Sequence, residues 1–259
     1  MIKFFRRIRQ RLLFDNKPAL PAGRFSRYFI YAIGEIVLVV IGILIALSIN
    51  SWNQNRLDQV DRKEILSKLH IEFQLNKKIL HDYKLINEES MNSNMALLNL
   101  IGESREALSM QNLDSLFYET YQGYELAFTE NATKNIVEGG HLNLFKNEEM
   151  TTLLNQWNSL TEIRENRLDK LDSWTNGYAI PYLIPYISFK EMDANANFRW
   201  SGKSKVKPDY YPLFQKIEFE NIIENSLWYQ QNLNNRLEET EVLIDKIINA
   251  SKPNADTKI

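Results

Sequence analysis

The sequence predicts an all-α protein in which one N-terminal transmembrane helix is followed by a long-helix antiparallel bundle. Three observations carry this. Residues 28–49, YFIYAIGEIVLVVIGILIALSI, contain Glu35 as the one charged side chain. Beyond them, apolar residues recur at three- and four-residue spacing through stretches almost free of proline and glycine. The whole chain has 9 glycines, 7 prolines and no cysteine. Four divisions follow: a basic leader over 1–27, the span over 28–49, a long stalk helix over 50–108, and a helical bundle over 109–259 with an irregular loop near 178–210.

The span is argued from length and transfer energy. At about 1.5 Å per helical residue it extends roughly 33 Å, matching a hydrocarbon core of roughly 30 Å. Fourteen of its residues are Leu, Ile, Val or Phe. Each favours insertion by about 0.3 to 0.6 kcal/mol, against roughly 2.5 kcal/mol or more for a central carboxylate. Ala46-Leu47-Ser48 resembles a signal-cleavage site, but the apolar run is long for a signal core, and an uncleaved anchor is the favoured reading.

Ahead of the span, residues 1–27 hold eight Lys or Arg against Asp15 alone. Phe4 or Phe5, Ile8 and Leu12 recur among Lys3, Arg6, Arg7, Arg9 and Arg11. The pattern fits a basic amphipathic helix on an anionic membrane surface, and equally a positive flank that fixes orientation. Pro18 and Pro21 mark a linker before the span. The excess of positive charge predicts a cytoplasmic N-terminus and a periplasmic C-terminal region at the bacterial inner membrane.

Within the span, Glu35, Gly42, Ala46 and Asn53 fall on one stripe, flanked by Leu38 and Val39. Small residues four apart admit a second helix closely, and a carboxyl in such a seam is shielded from lipid. Glu35, Gly42 and Ala46 are therefore the candidate transmembrane interface, implying a homo-oligomer or a partner membrane protein. The simpler alternative is that Glu35 snorkels towards the headgroups, helped by Arg24 and Arg27.

These residues carry a resemblance. The leader MIKFFRRIRQ and the run YAIGEIVLVVIGILIALSINSWN are similar to the opening of a family of small bacterial membrane proteins from the Bacteroidota, of the domain-of-unknown-function 6090 type. The likeness rests on Ile2, Phe4, Phe5, Arg6, Ile8 and Arg9, then on Tyr31, Gly34, Glu35, Gly42, Ala46, Trp52 and Asn53. Ser48 departs from the family, which more often has Gln there. The resemblance implies a single span with a helical extramembrane region, and it supplies no activity.

From Arg56 to Leu100, Leu66, Leu69, Phe73, Leu80 and Tyr83 define one helix face, interrupted by Asn76 and continued weakly by Asn87. A coiled-coil stalk fits this pattern, but a bundle helix covered by later helices of the same chain fits better, since those helices are present. Gly102 ends the segment. Leu113, Leu116, Phe117, Tyr121 and Tyr124 mark shorter helices before Gly139-Gly140. Asn147 is a good N-cap for a helix running through Met150, Leu153, Leu154, Trp157, Leu160, Arg164, Leu168 and Leu171 to Trp174, with Gly177 expected to close it. A second long helix is expected over 219–250, with Ile222, Leu233, Leu237, Ile244 and Ile248 inward.

Between the long helices, Tyr178, Tyr182 and Tyr186 repeat with Pro181 and Pro185 interposed. A polar loop with Arg199, Trp200, Lys203, Lys205 and Lys207 follows. An aromatic shelf beside a cationic loop is a candidate ligand or partner surface; the plainer reading is a kinked cap over the bundle. Residues 50–259 carry 23 basic and 31 acidic side chains, which disfavours nucleic acid as a partner. His70, His81 and His141 join no hydrolase, phosphate-loop or metalloprotease pattern, and no cofactor or metal site is expected. The expectation is a non-enzymatic single-pass protein for interaction or assembly. The alternative is a membrane-anchored periplasmic ligand-binding sensor or accessory subunit.

Overall fold

The computed structural model describes residues 24–123, 125–145, 148–196, 198, 200 and 202–252. The leader up to Gly23, Tyr124, the Asn147 cap and Arg199 lie outside the described residues. Among the described residues every regular element is helical. The chain divides into two units, 1–60 and 61–259.

The described part of the first unit is helical, within α1, Arg24–Asn99. Tyr31–Asn99 is the one helix, among the described residues, long and apolar enough to cross a membrane. From Tyr31 to Ile49 no residue is buried; Leu38 is half-exposed and the rest are exposed. Ser48 Oγ donates to the Leu44 carbonyl at 2.8 Å. That bond satisfies the hydroxyl within the helix, which a lipid environment requires.

In the second unit, α1 continues from Asp61 and is joined by α2 (Arg105–Ser109), α3 (Leu113–Tyr121) and α4 (Asn131–Val137). The long helices α5 (Glu148–Trp174) and α9 (Ile217–Ala250) match the expected positions. Between them lie the short α6 (Ile180–Leu183), α7 (Phe189–Met192) and α8 (Tyr211–Phe214). α1 stops at Asn99, short of the expected stalk end at 108, and Gly102 just beyond it adopts φ 79°, a left-handed conformation that favours glycine. Gly140 plays the same part at φ 73° after α4.

Two apolar clusters form the core. One joins Leu69, Phe73 and Leu80 of α1, Leu154 and Trp157 of α5, and Leu233, Leu237 and Ile244 of α9. The other joins Leu97, Phe117, Leu183, Phe214, Phe219 and Ile223. Along α1 and α9 the residues between these clusters are polar and buried: Asn87, Ser90, Ser93 and Asn94, with Ser226 and Gln230. Asn94 Nδ2 donates to Gln230 Oε1 at 2.9 Å, Gln230 Nε2 to Ser90 Oγ at 2.8 Å, and Ser90 Oγ to the Thr120 carbonyl at 2.9 Å.

The α1 pairings with the end of the chain descend in number. His70 Nδ1 lies 3.1 Å from the Ile248 carbonyl, Lys77 bonds Asp245 at 2.6 Å, Lys84 bonds Glu241 at 2.5 Å, and Asn94 meets Gln230. The two ion pairs are half-exposed, where such pairs are worth about 0 to 1 kcal/mol. Their use is register.

One expected boundary is corrected. Gly177 does not close the α5 segment; Thr175–Ala179 continues as a π-helix into α6. The Ile180 N–H donates to Thr175 O, five residues back. The cause is Pro181, whose ring in a regular α-helix would press on the carbonyl four residues earlier, that of Gly177. Widening the turn relieves that clash, and glycine tolerates either geometry.

Asn76, the apparent interruption of the apolar face, is fully buried. Its Nδ2 donates to the Thr129 carbonyl at 2.8 Å, while its Oδ1 accepts from Thr129 N–H at 2.8 Å and from Thr129 Oγ1 at 2.9 Å. Asn76→Ala strands the Thr129 groups and is expected to destabilise the fold by about 1 to 3 kcal/mol. Asn92→Ala, on the exposed face of the same helix, is expected to cost under about 0.5 kcal/mol. Chaotrope unfolding of the solubilised chain, followed by far-UV circular dichroism, measures both.

Candidate functional site

The three span residues are described within the first unit alone. Glu35, Gly42 and Ala46 are all exposed, and a Cβ built on Gly42 meets nothing within 4 Å. That stripe is open, as a helix-contact face requires.

On the second unit, the Tyr178–Lys207 surface is built by the segment around the two prolines. Tyr182 and Tyr186 come together, ring centroids 5.9 Å apart. Tyr178 instead stacks on Trp174, at 4.7 Å and 22° between planes. Lys216, which belongs to no pattern legible in the sequence, donates to the Tyr186 hydroxyl and lies over its ring at 4.5 Å. The hydroxyl contact raises the Lys216 pKa above its ordinary value. The Tyr182 hydroxyl is buried with no protein partner, and burial raises its pKa.

The loop's cations are partly answered from within the chain. Glu191, on α7, accepts the Ser204 N–H at 2.5 Å and the Lys207 ammonium at 3.3 Å. The Ser204 amide first, then Lys207 and Lys203, hold the Glu191 carboxyl below the usual carboxylate range. Lys203 and Lys205 remain exposed. Trp200 is 66% exposed and stacks on Phe198 at 4.9 Å. The signal for Glu191 was weak in the sequence, because it is one acid among many on a short helix and its partners lie 13 and 16 residues away.

A separate open groove runs between α5 and α9. It measures about 950 Å³, with Leu160, Ile163, Val242 and Leu243 on its floor and Arg236 and Lys246 at its rim. Ile163 and Val242 are exposed there.

Among the described residues these features define an all-helical architecture, with one helix long and apolar enough to cross a membrane and a second, packed helical unit. Residues 35–106 match the model of a family of unknown function (DUF6090). The matched stretch takes in Glu35, Gly42, Ala46, Trp52 and Asn53 and runs on through the buried polar face of α1 into α2. No curated protein and no solved structure matches the chain.

The Glu191 clasp has a pH signature. Its carboxyl titrates lower in the folded chain than in the unfolded one, so its contribution is complete above the ordinary carboxylate range and is lost as the pH falls through the lowered folded value. The Ser204 amide is expected to show hydrogen-exchange protection, corrected for intrinsic rate, that disappears across that acid range. In Glu191→Ala the protection is expected to be missing at every pH.

Proposed function

We propose that the chain is a non-enzymatic, single-pass inner-membrane protein whose second unit is a periplasmic antiparallel helical bundle mediating protein interaction or assembly. The observation that carries this reading is the span: a run of apolar side chains, none of them buried from Tyr31 to Ile49, with Glu35, Gly42 and Ala46 along one open stripe. An anchor with such a stripe is suited to meeting a second transmembrane helix, either of another copy or of a partner membrane protein.

The descending series of α1 partners, from Ile248 opposite His70 to Gln230 opposite Asn94, supports the antiparallel arrangement. The α5–α9 groove, with Ile163 and Val242 exposed in it, supplies apolar surface for a partner outside the membrane. The eight positive charges ahead of the span support the orientation.

Crosslinking in native membranes tests the assembly role. A homo-oligomer or a stoichiometric complex with another membrane protein is expected for the wild type, and its loss for Gly42→Ile. A monomer in both would remove the seam.

The absence of native cysteine makes orientation equally direct to measure. Met110→Cys places a thiol at a position 80% exposed. It is expected to react with a membrane-impermeant maleimide in intact spheroplasts. Reaction only after permeabilisation would reverse the topology.

A further inference from the structure

At the end of α5 the chain builds a shallow hollow of about 400 Å³ that the assembly role does not use. Its floor is aromatic. Trp174 and Tyr178 are stacked, and Tyr229 of α9 leans on Trp174 at 5.8 Å and 36°. Its rim is polar, from Asp169, Lys170 and Ser173, all exposed. The spacing explains the grouping: 170, 174 and 178 form one column on the helix, and 169, 173 and 177 the column beside it.

Three features make the hollow a prepared surface. The Trp174 indole is fixed, because its Nε1–H donates to Ser226 Oγ at 2.9 Å, and Ser226 in turn donates to the Ile222 carbonyl at 2.8 Å. Its polar edge is thereby satisfied inside the protein, and the half-buried indole lines the hollow beside the exposed Tyr178. The π-helix over Thr175–Ala179 is a distortion of the kind often found at functional sites. Gly177 keeps the hollow open, since a Cβ placed there meets nothing within 4 Å.

We propose that this hollow, floored by Trp174, Tyr178 and Tyr229, binds a neutral saccharide by stacking one pyranose ring on the aromatic floor. The rim decides the ligand class. Asp169 and Lys170 stand side by side and cancel in net charge, so the site favours neither an anion nor a cation. A carboxylate, an ammonium and a hydroxyl together offer donors and acceptors to the hydroxyl groups around a sugar ring. The ring's apolar face of C–H groups matches the aromatic floor. The stacking of Trp174 on Tyr178 leaves no open box of rings that would enclose a quaternary ammonium ion. The inference stands independently of the assembly role.

The test uses the full chain in lipid nanodiscs, free of glycoside detergents, and two β-1,4-linked probes, cellotetraose and chitotetraose, at about 10 mM, suited to weak binding. Saturation-transfer difference NMR is expected to show transfer to the ring protons of at least one probe. Gly177→Leu, whose Cβ has open space and whose longer side chain would occupy the hollow, and Tyr178→Ala, at a side chain 53% exposed, are each expected to weaken binding at least tenfold. Circular dichroism melts are expected to be unchanged for Tyr178→Ala. Met110→Ala removes an exposed apolar side chain outside the hollow and is expected to bind as the wild type does. No transfer to either probe would overturn the proposal, as would transfer that survives Tyr178→Ala. So would displacement of a bound probe by tetramethylammonium or inorganic phosphate.

Discussion

A primary amide removed from water must find partners inside the protein or cost the fold several kcal/mol. The second unit is arranged around that constraint. Asn94, Gln230 and Ser90 sit between two apolar clusters and bond in series through Asn94 Nδ2, with the Thr120 carbonyl at the end of the chain of bonds and Asn94 Oδ1 left without a protein partner. Sliding α1 against α9 by one turn would keep apolar residues roughly opposite one another but would separate these groups. The apolar clusters supply most of the driving force, and the polar layer selects the register in which it is used.

The same logic extends along α1 towards residue 72. Glu72 is buried and accepts from Ala132 N–H at 2.6 Å, Thr133 N–H at 3.1 Å and Thr133 Oγ1 at 2.7 Å. A carboxylate at the first turn of α4 answers both the unpaired amides and the helix dipole there. With Asn76 gripping Thr129, one face of α1 holds the connection 129–133 by its backbone. Behind it, Arg164 is 3% exposed and lies over the Phe128 ring at 4.5 Å and near Trp157 at 5.4 Å. Burial pushes its pKa down to about 10, so it still carries its charge at neutral pH. Aromatic faces replace part of its lost hydration.

Where the connection between α5 and α9 is concerned, covalent geometry is the governing influence. Pro181 cannot enter a regular α-helical turn behind Gly177, and the widened turn that results sets Tyr178 against Trp174 while Tyr182 packs beside Tyr186, which meets Lys216. Three tyrosines at equal spacing therefore serve two different surfaces. The cationic loop that follows is held to the body of the unit by Glu191.

Much of this was legible in the sequence. Apolar composition, with Glu35 its one charged residue, marked a helix long enough to cross a membrane, because bilayer thickness sets the length required. The 3.6-residue period determined the long helices and their inward faces, including Leu69, Phe73, Trp157, Leu233 and Ile244. Glycine chemistry marked the stops at Gly102 and Gly140. What only the tertiary structure decided is which polar residues are inside and what meets them. Asn76 read as a break in a stripe and is fully buried. Glu191 belonged to no pattern in the sequence and clasps a loop. Gly177 read as a stop and lies inside a continuing helix. The physical reason is common to all three. Helical periodicity follows from the chain's own geometry and is written locally, whereas the pairing of a buried polar group depends on segments tens of residues away, whose approach is fixed only when the helices pack.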